Sequence, residues 1–170
     1  DVDKRQKGTV QGTFIPFLFS PYLGIGNHRL TFDKSGNLWI GKTHIKWAGD
    51  EGLKKITWNK KKPFLASGVS LTKDGFKITF NRPLKENPKL KLSRHTYHYH
   101  EAYGSPKVDL KNVDPTNSQL SSDGKTLTIT LSEITARRLY TIELKGTTDI
   151  QGLPLMGNIL RYNVVKTRPK

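Results

Sequence analysis

The sequence contains no cysteine, few acidic side chains and no long apolar run. Without cysteine, the chain cannot form disulfide bridges, thiolate nucleophiles, cysteine-ligated zinc sites, iron–sulfur clusters or covalent c-type haem attachments. No apolar run approaches the roughly 18 residues that a membrane-spanning helix needs, so no membrane span is predicted. A phosphate-cradling glycine loop and a nucleophile elbow are also missing. These absences leave few routes to catalysis.

Positive charge is what the sequence has in excess. Lys and Arg number 29 against 14 Asp and Glu, a formal net charge of +15. On either side of Pro63 the excess is similar, +7 before it and +8 from it onward. A charge distributed in this way is not a basic tail, and it predicts an anionic partner: nucleic acid, acidic lipid, acidic polysaccharide or acidic protein.

The hydrophobic pattern predicts an all-β fold. Apolar residues alternate with polar ones, as in Phe76, Ile78 and Phe80, and no segment keeps helical periodicity over three turns. Residues 1–62 are predicted to form a three-stranded antiparallel meander that resembles part of a β-propeller blade. Residues 63–170 are predicted to form an Ig-like β-sandwich. Its strands are expected near residues 67–72, 76–81, 89–100, 125–131, 139–145 and 160–166.

Three stretches together resemble a known family. Residues 26–41 (GNHRLTFDKSGNLWIG) are similar to a propeller repeat, residues 52–58 (GLKKITW) to the junction that follows, and residues 97–106 (YHYHEAYGSP) to a segment of an Ig-like domain. The combination resembles the C-terminal part of glucose/sorbosone-dehydrogenase-like, multidomain haem-binding proteins of environmental bacteria. In that part, the last propeller blade precedes an Ig-like domain.

The resemblance implies that this chain is a piece of a longer exported protein, secreted or periplasmic, whose other domains are partners. The family's propeller needs about six blades, and its quinone site is assembled from loops of several of them. This chain has material for one blade, so the resemblance implies a quinone in the parent, no cofactor here and no catalysis by the chain alone. His28 and Arg29 match the blade-start positions that border the family's central pocket.

The densest cluster of functional side chains lies in residues 94–103, with three of the five histidines and three of the six tyrosines. In an extended strand, His98 and His100 point to one face, whereas His95, Tyr97 and Tyr99 point to the other.

Three interpretations of this cluster stay open. His98 and His100 can present two imidazoles to one metal ion, although no third ligand lies at a fixed spacing. Tyr97 and Tyr99 can form an aromatic platform beside lysines of the same parity. Alternatively, the tyrosines and histidines are structural.

A second candidate surface is the loop around Trp47, where Lys46 and other basic side chains accompany the indole. Aromatic and cationic side chains together can stack on a sugar face and pair with its sulfate or carboxylate. The candidate ligand-binding residues are Lys89, Lys91, His95, Tyr97, Tyr99, Tyr103, Lys46, Trp47, His28 and Arg29.

From these observations we expect a non-catalytic β-sandwich module that binds an anionic ligand, with an acidic or sulfated polysaccharide favoured. The alternative is a C-terminal scaffold fragment of a quinone-dependent, sugar-dehydrogenase-like oxidoreductase. Nucleic acid is allowed by the charge but disfavoured, because no helix-turn-helix, zinc-finger or RNA-recognition signature is present.

Overall fold

A computed structural model of the protein describes residues 2–3, 10–44, 49–101 and 103–168. In these ranges the chain forms thirteen strands and one 3-10 turn, Pro21–Leu23, and every strand pair is antiparallel. The strands are β1 (Val2–Asp3), β2 (Gln11–Phe14), β3 (Asn27–Phe32), β4 (Leu38–Lys42), β5 (Leu53–Ile56), β6 (Ala66–Leu71), β7 (Gly75–Phe80), β8 (Lys89–Tyr97), β9 (Lys107–Val113), β10 (Pro115–Leu120), β11 (Thr126–Leu131), β12 (Arg138–Lys145) and β13 (Ile159–Val164). The all-β prediction is confirmed. Within the described ranges, no helix has the length and apolar character needed to cross a membrane.

The described residues within 1–17 and 63–170 form one compact unit built as a β-sandwich. A six-stranded sheet has the order β1-β2-β13-β12-β8-β9, and a four-stranded sheet has the order β10-β11-β7-β6. Side chains from both sheets join one buried apolar cluster. The finer prediction that this sandwich is Ig-like stays a prediction.

Alternation along the strands fills this core. Phe76, Ile78 and Phe80 on β7 are at most 4% exposed, and the residues between them face away from the cluster. Aromatic rings connect the sheets: the Phe76 centroid lies 5.2 Å from that of Tyr140 and 5.5 Å from that of Tyr162. Tilted pairs at these distances contribute more than their buried area alone.

The N-terminal strand β2 belongs to the sandwich and not to the meander, which differs from the predicted division at residue 62. It pairs with β13, and the hydroxyl of Thr13 donates to the carbonyl of Arg161 at 2.8 Å. The side-chain oxygen of Gln11 accepts from the backbone N–H groups of Val165 and Lys166 at 2.9 and 3.0 Å. Polar side chains thus fix β2, so hydrophobic alternation could not reveal it.

The second unit, residues 18–62, contains a three-stranded sheet in the order β3-β4-β5. Asp33 organises its first turn by accepting hydrogen bonds from Asn37, the Trp39 indole and the backbone N–H of Ser35. These bonds, those from Asn37 and Trp39 foremost, hold the pKa of Asp33 far below its ordinary value. The strand order is that of the predicted meander.

Asp149 ties together the turn that follows β12. Its side chain is 1% exposed and accepts from the backbone N–H groups of Leu153 at 2.8 Å and Gln151 at 2.9 Å, and from Arg82 at 3.2 Å. Burial raises the pKa of Asp149, but the hydrogen bonds from Leu153, Arg82 and Gln151 outweigh burial and the pKa is lowered.

We therefore expect Asp149→Asn to lower the urea midpoint of unfolding at neutral pH, because the amide cannot pair with the charge of Arg82. A depressed folded-state pKa adds stability above the ordinary value of 3.8, and this stability is lost as the pH falls through the folded-state value. Urea titrations at neutral and strongly acidic pH test this expectation. The midpoint difference between the two proteins should shrink in acid, and an undiminished difference would contradict the assignment.

Candidate functional site

The six-stranded sheet has one face in the core and one directed away from it, which we call the outer face. Leu92, Tyr140 and Tyr162 point from β8, β12 and β13 into the core. Because side chains alternate along a strand, the residues directly before and after each of these three lie on the outer face. Strand pairing places there Phe14, Lys89, Lys91, Ser93, His95, Tyr97, Lys107, Asn112, Leu139, Thr141, Glu143, Lys145, Arg161 and Asn163.

Four of the predicted ligand-binding residues share this face. Lys89, Lys91, His95 and Tyr97 all belong to β8 and have the same parity, and the pairing of β8 with β12 directs them away from the core. β8 ends at Tyr97 rather than near residue 100, so the following residues lie in a loop.

The loop carries the other two candidate tyrosines in fully open positions. The side chain of Tyr99 is 98% exposed and that of Tyr103 is 100% exposed. Neither Tyr99 nor Tyr103 belongs to a strand, so the structure does not bring them together with Tyr97 on the outer face.

The outer face is strongly cationic. Of its residues named above, five are Lys or Arg, and Glu143 is the single carboxylate. Glu143 lies directly opposite Lys91, so its carboxylate compensates the positive charge of that lysine. Lys145 lies directly opposite Lys89, and such like-charge pairs destabilise a sheet. A bound anion would relieve that repulsion.

One row of side chains crosses five strands of the outer face. The register aligns Phe14 on β2 with Arg161 on β13, then Thr141 on β12, Ser93 on β8 and Asn112 on β9. Phe14 is 68% exposed and Arg161 is exposed. The row therefore offers an apolar ring, a guanidinium and small polar groups along one line.

His95 is the buried member of the outer face. It is 2% exposed, and the ring of Tyr97 meets it edge-on with centroids 5.1 Å apart. Its Nε2 atom has no hydrogen-bond partner among the described residues. Burial lowers the pKa of His95, and the positive charges of Lys107 and Arg161 lower it further. His95 is therefore a neutral support for the half-exposed Tyr97 ring.

A separate ionic cluster lies where β8, β9 and β12 meet. Asp109 occupies a bulge in β9 with φ 52°, and its Oδ2 accepts from Arg138 at 2.7 Å and Arg94 at 2.9 Å. Lys111 approaches its other oxygen at 3.5 Å. Arg138 foremost, and then Arg94, hold the pKa of Asp109 below its ordinary value despite partial burial. Because the single carboxylate of Asp109 binds both arginines and links β8, β9 and β12, the cluster has a structural role.

The two candidate metal ligands do lie side by side. The rings of His98 and His100 stack with centroids 5.3 Å apart and an interplanar angle of 26°. Over the described part of the chain, no group of three or more potential metal-ligating side chains forms. In the described residues, this pair therefore offers a metal ion two imidazoles and no third ligand.

The remaining candidates fall elsewhere. His28 and Arg29 lie on β3 in the second unit, where the pairing of β3 with β4 is irregular between Asn27 and Arg29. Lys46 and Trp47 lie outside the described residues.

Several residues of the outer face were missed from the sequence. Lys145 and Arg161 lie in strands that were predicted, so the parity argument used for β8 could have found them. Phe14, Lys107 and Asn112 could not be found in this way, because their strands β2 and β9 carry no clear hydrophobic alternation.

Comparisons of the chain with known proteins found no matching family model, no matching curated protein and no matching solved structure. The resemblance to dehydrogenase-like propellers therefore stays a prediction, and the functional inference depends on the residues of the chain.

The environment of His95 predicts a pH dependence of folding. Its folded-state pKa lies below the ordinary value of 6.5, so the unfolded chain binds more protons and stability falls as the pH drops below that value. We expect the melting temperature to decrease between about pH 7.5 and about pH 5.5, and His95→Phe to reduce that decrease.

The control is His44→Gln, which alters an exposed histidine of the second unit. It should leave the pH dependence unchanged. If His95→Phe behaves like this control, His95 does not titrate on unfolding as inferred.

Proposed function

We propose that the protein is a non-catalytic binding module for an acidic or sulfated polysaccharide, and that the outer face of the six-stranded sheet is its binding surface. The observation that carries the proposal is the concentration of cationic side chains on the outer face of the six-stranded sheet. This ligand also implies a secreted or periplasmic setting.

The arrangement of charges suits a polymer better than a single small anion. Neighbouring strands lie about 4.8 Å apart, and alternate residues of one strand about 6.7 Å apart. Lys89 and Lys91 follow one another along β8, while Arg161 lies two strands away on β13. A chain with an anionic group on each sugar can contact several of these side chains at once.

The outer face also offers surfaces for sugar rings. Tyr97 is 50% exposed and held edge-on against His95, and Phe14 is 68% exposed at the end of the polar row. Aromatic rings combine a large apolar surface with defined geometry. Thr141 and Ser93 lie in the row that begins at Phe14, Asn112 ends that row on β9, and all three provide hydrogen-bonding groups for sugar hydroxyls.

Nucleic acid fits this face less well. Sheet surfaces that bind single-stranded RNA stack bases on aromatic residues of the sheet. Here β12 and β13, in the middle of the sheet, carry Leu139, Thr141, Arg161 and Asn163 on the outer face. The aromatic side chains lie on β2 and at the end of β8, too far apart to stack adjacent bases.

A second candidate function rests on the unit formed by residues 18–62. On one face of its sheet, Leu30 and Phe32 are 66% and 62% exposed, beside the buried Ile40 and Leu38 with which they pair. This apolar face favours the alternative that the unit is a propeller blade and scaffolds a dehydrogenase-like parent. Sequencing the gene upstream of Asp1 tests it, since an absence of further blades would contradict it.

The binding proposal predicts that Lys91→Gln combined with Arg161→Gln weakens retention by polygalacturonate in affinity electrophoresis at low salt. We expect about a tenfold loss of affinity, because exposed ion pairs contribute about 0.2–1 kcal/mol each. Retention of the unsubstituted protein should also weaken as salt is added, since exposed charges are screened.

The matched control is Lys77→Gln combined with Lys125→Gln. Both residues are exposed; Lys77 lies on the four-stranded sheet and Lys125 just before β11. This control removes the same formal charge but leaves the outer face intact, so its retention should change little. Equal losses in the two double variants would show that net charge and not the outer face governs binding. No retention of the unsubstituted protein at any salt would contradict the proposal.

A further inference from the structure

A cleft lies where β8 begins and β12 ends. Its volume is about 310 Å³, and the residues that line it include Glu86, Asn87, Lys89, Lys145, Thr147 and Thr148. Lys89 and Lys145 are the opposed like-charge pair of the outer face, so the cleft continues the outer face at one end of the sheet.

Hydrogen bonds hold the walls of the cleft in place. The backbone N–H of Lys85 donates to the carbonyl of Thr148 at 3.0 Å. The Asn87 side chain donates to the carbonyl of Ser118 at 2.8 Å and accepts from the Ser118 hydroxyl at 3.3 Å. On the opposite wall, the carbonyl of Thr147 accepts from the backbone N–H of Leu155 at 2.9 Å. The cleft is therefore preformed, which reduces the entropy lost when a ligand binds.

The charge of the cleft favours an anion. Directly paired residues of antiparallel strands have Cα atoms about 4.5–5.5 Å apart, so Lys89 and Lys145 can both reach one group. Among the described residues that line the cleft, Glu86 is the one carboxylate, and its side chain is exposed. The two ammonium groups thus outnumber the opposing charge.

Thr147 supplies a second, independent observation. Its side chain is 8% exposed, and its hydroxyl has no hydrogen-bond partner among the described residues. A buried hydroxyl without a partner destabilises the folded state. Because Thr147 lines the cleft, an anionic oxygen bound there can accept a hydrogen bond from this hydroxyl.

We propose that this cleft is a subsite that holds one anionic substituent of the ligand, a carboxylate or a sulfate group, between the ammonium groups of Lys89 and Lys145 with the Thr147 hydroxyl as donor. The inference rests on the proposed function, because it assigns one subsite of the same surface. It gives the polysaccharide a defined end position on the outer face.

The test is calorimetric titration of the full chain with hexagalacturonate, a heparin-derived hexasaccharide and maltohexaose, which carry carboxylates, sulfates with carboxylates, and no charge. We expect Thr147→Val to weaken binding of a charged hexasaccharide about tenfold, as for loss of a hydrogen bond to a charged group. The melting temperature should stay equal or rise, because valine removes the unpartnered hydroxyl. Lys145→Gln, at an exposed position, should also weaken the binding of that hexasaccharide.

Thr128→Val is the matched control, since Thr128 is exposed on the four-stranded sheet. If Thr147→Val weakens the binding of hexagalacturonate more than Thr128→Val does, the cleft holds a carboxylate. If Thr147→Val weakens the binding of the heparin hexasaccharide alone, the cleft holds a sulfate. If Thr147→Val and Lys145→Gln bind both charged ligands like the control while the Lys91 and Arg161 double variant does not, the cleft assignment is overturned and the proposed function stands. If the unsubstituted protein binds neither charged ligand, both are overturned.

Discussion

The contact of the Phe76 ring with Tyr140 and Tyr162 joins the two sheets of the sandwich, and the rest of this unit is arranged around it. The three rings are fully buried, with centroids 5.2 and 5.5 Å apart across the sheets. Once these positions of β7, β12 and β13 face the core, alternation forces their neighbours outward. The same packing that stabilises the fold therefore gathers Lys145, Arg161 and the lysines of β8 on one outer face.

This arrangement carries a cost in stability that binding can offset. Lys89 and Lys145 lie opposite each other and repel. The imidazole of His95 and the hydroxyl of Thr147 are both buried, and neither the His95 Nε2 atom nor the Thr147 hydroxyl has a hydrogen-bond partner among the described residues. Each departs from what stability alone would select, and such departures concentrate at functional sites. By contrast, the carboxylates of Asp109 and Asp149 are fully engaged by arginines and backbone N–H groups.

Within the sandwich, strands that bury apolar residues at alternate positions could be predicted from the sequence, and strands without that pattern could not. β7, β11 and β12 alternate clearly because their apolar residues are buried. β9 and β10 are edge strands with largely exposed side chains, and β2 is fixed by buried polar residues, so none of them has a hydrophobic signature. Parity on β8 correctly predicted that Lys89, Lys91, His95 and Tyr97 share a face. The burial of His95 and the cleft beside Lys145 depend on tertiary packing, which local pattern does not contain.

The central claim is that the outer face of the six-stranded sheet binds an acidic polysaccharide. The most direct measurement is a titration of the 15N-labelled protein with hexagalacturonate at low salt, followed through the backbone amide NMR signals. We expect the largest shift changes in β8, β12 and β13, with little change in β6, β7 and β11. Changes concentrated in the four-stranded sheet or in residues 18–62, or no change at saturating ligand, would contradict it.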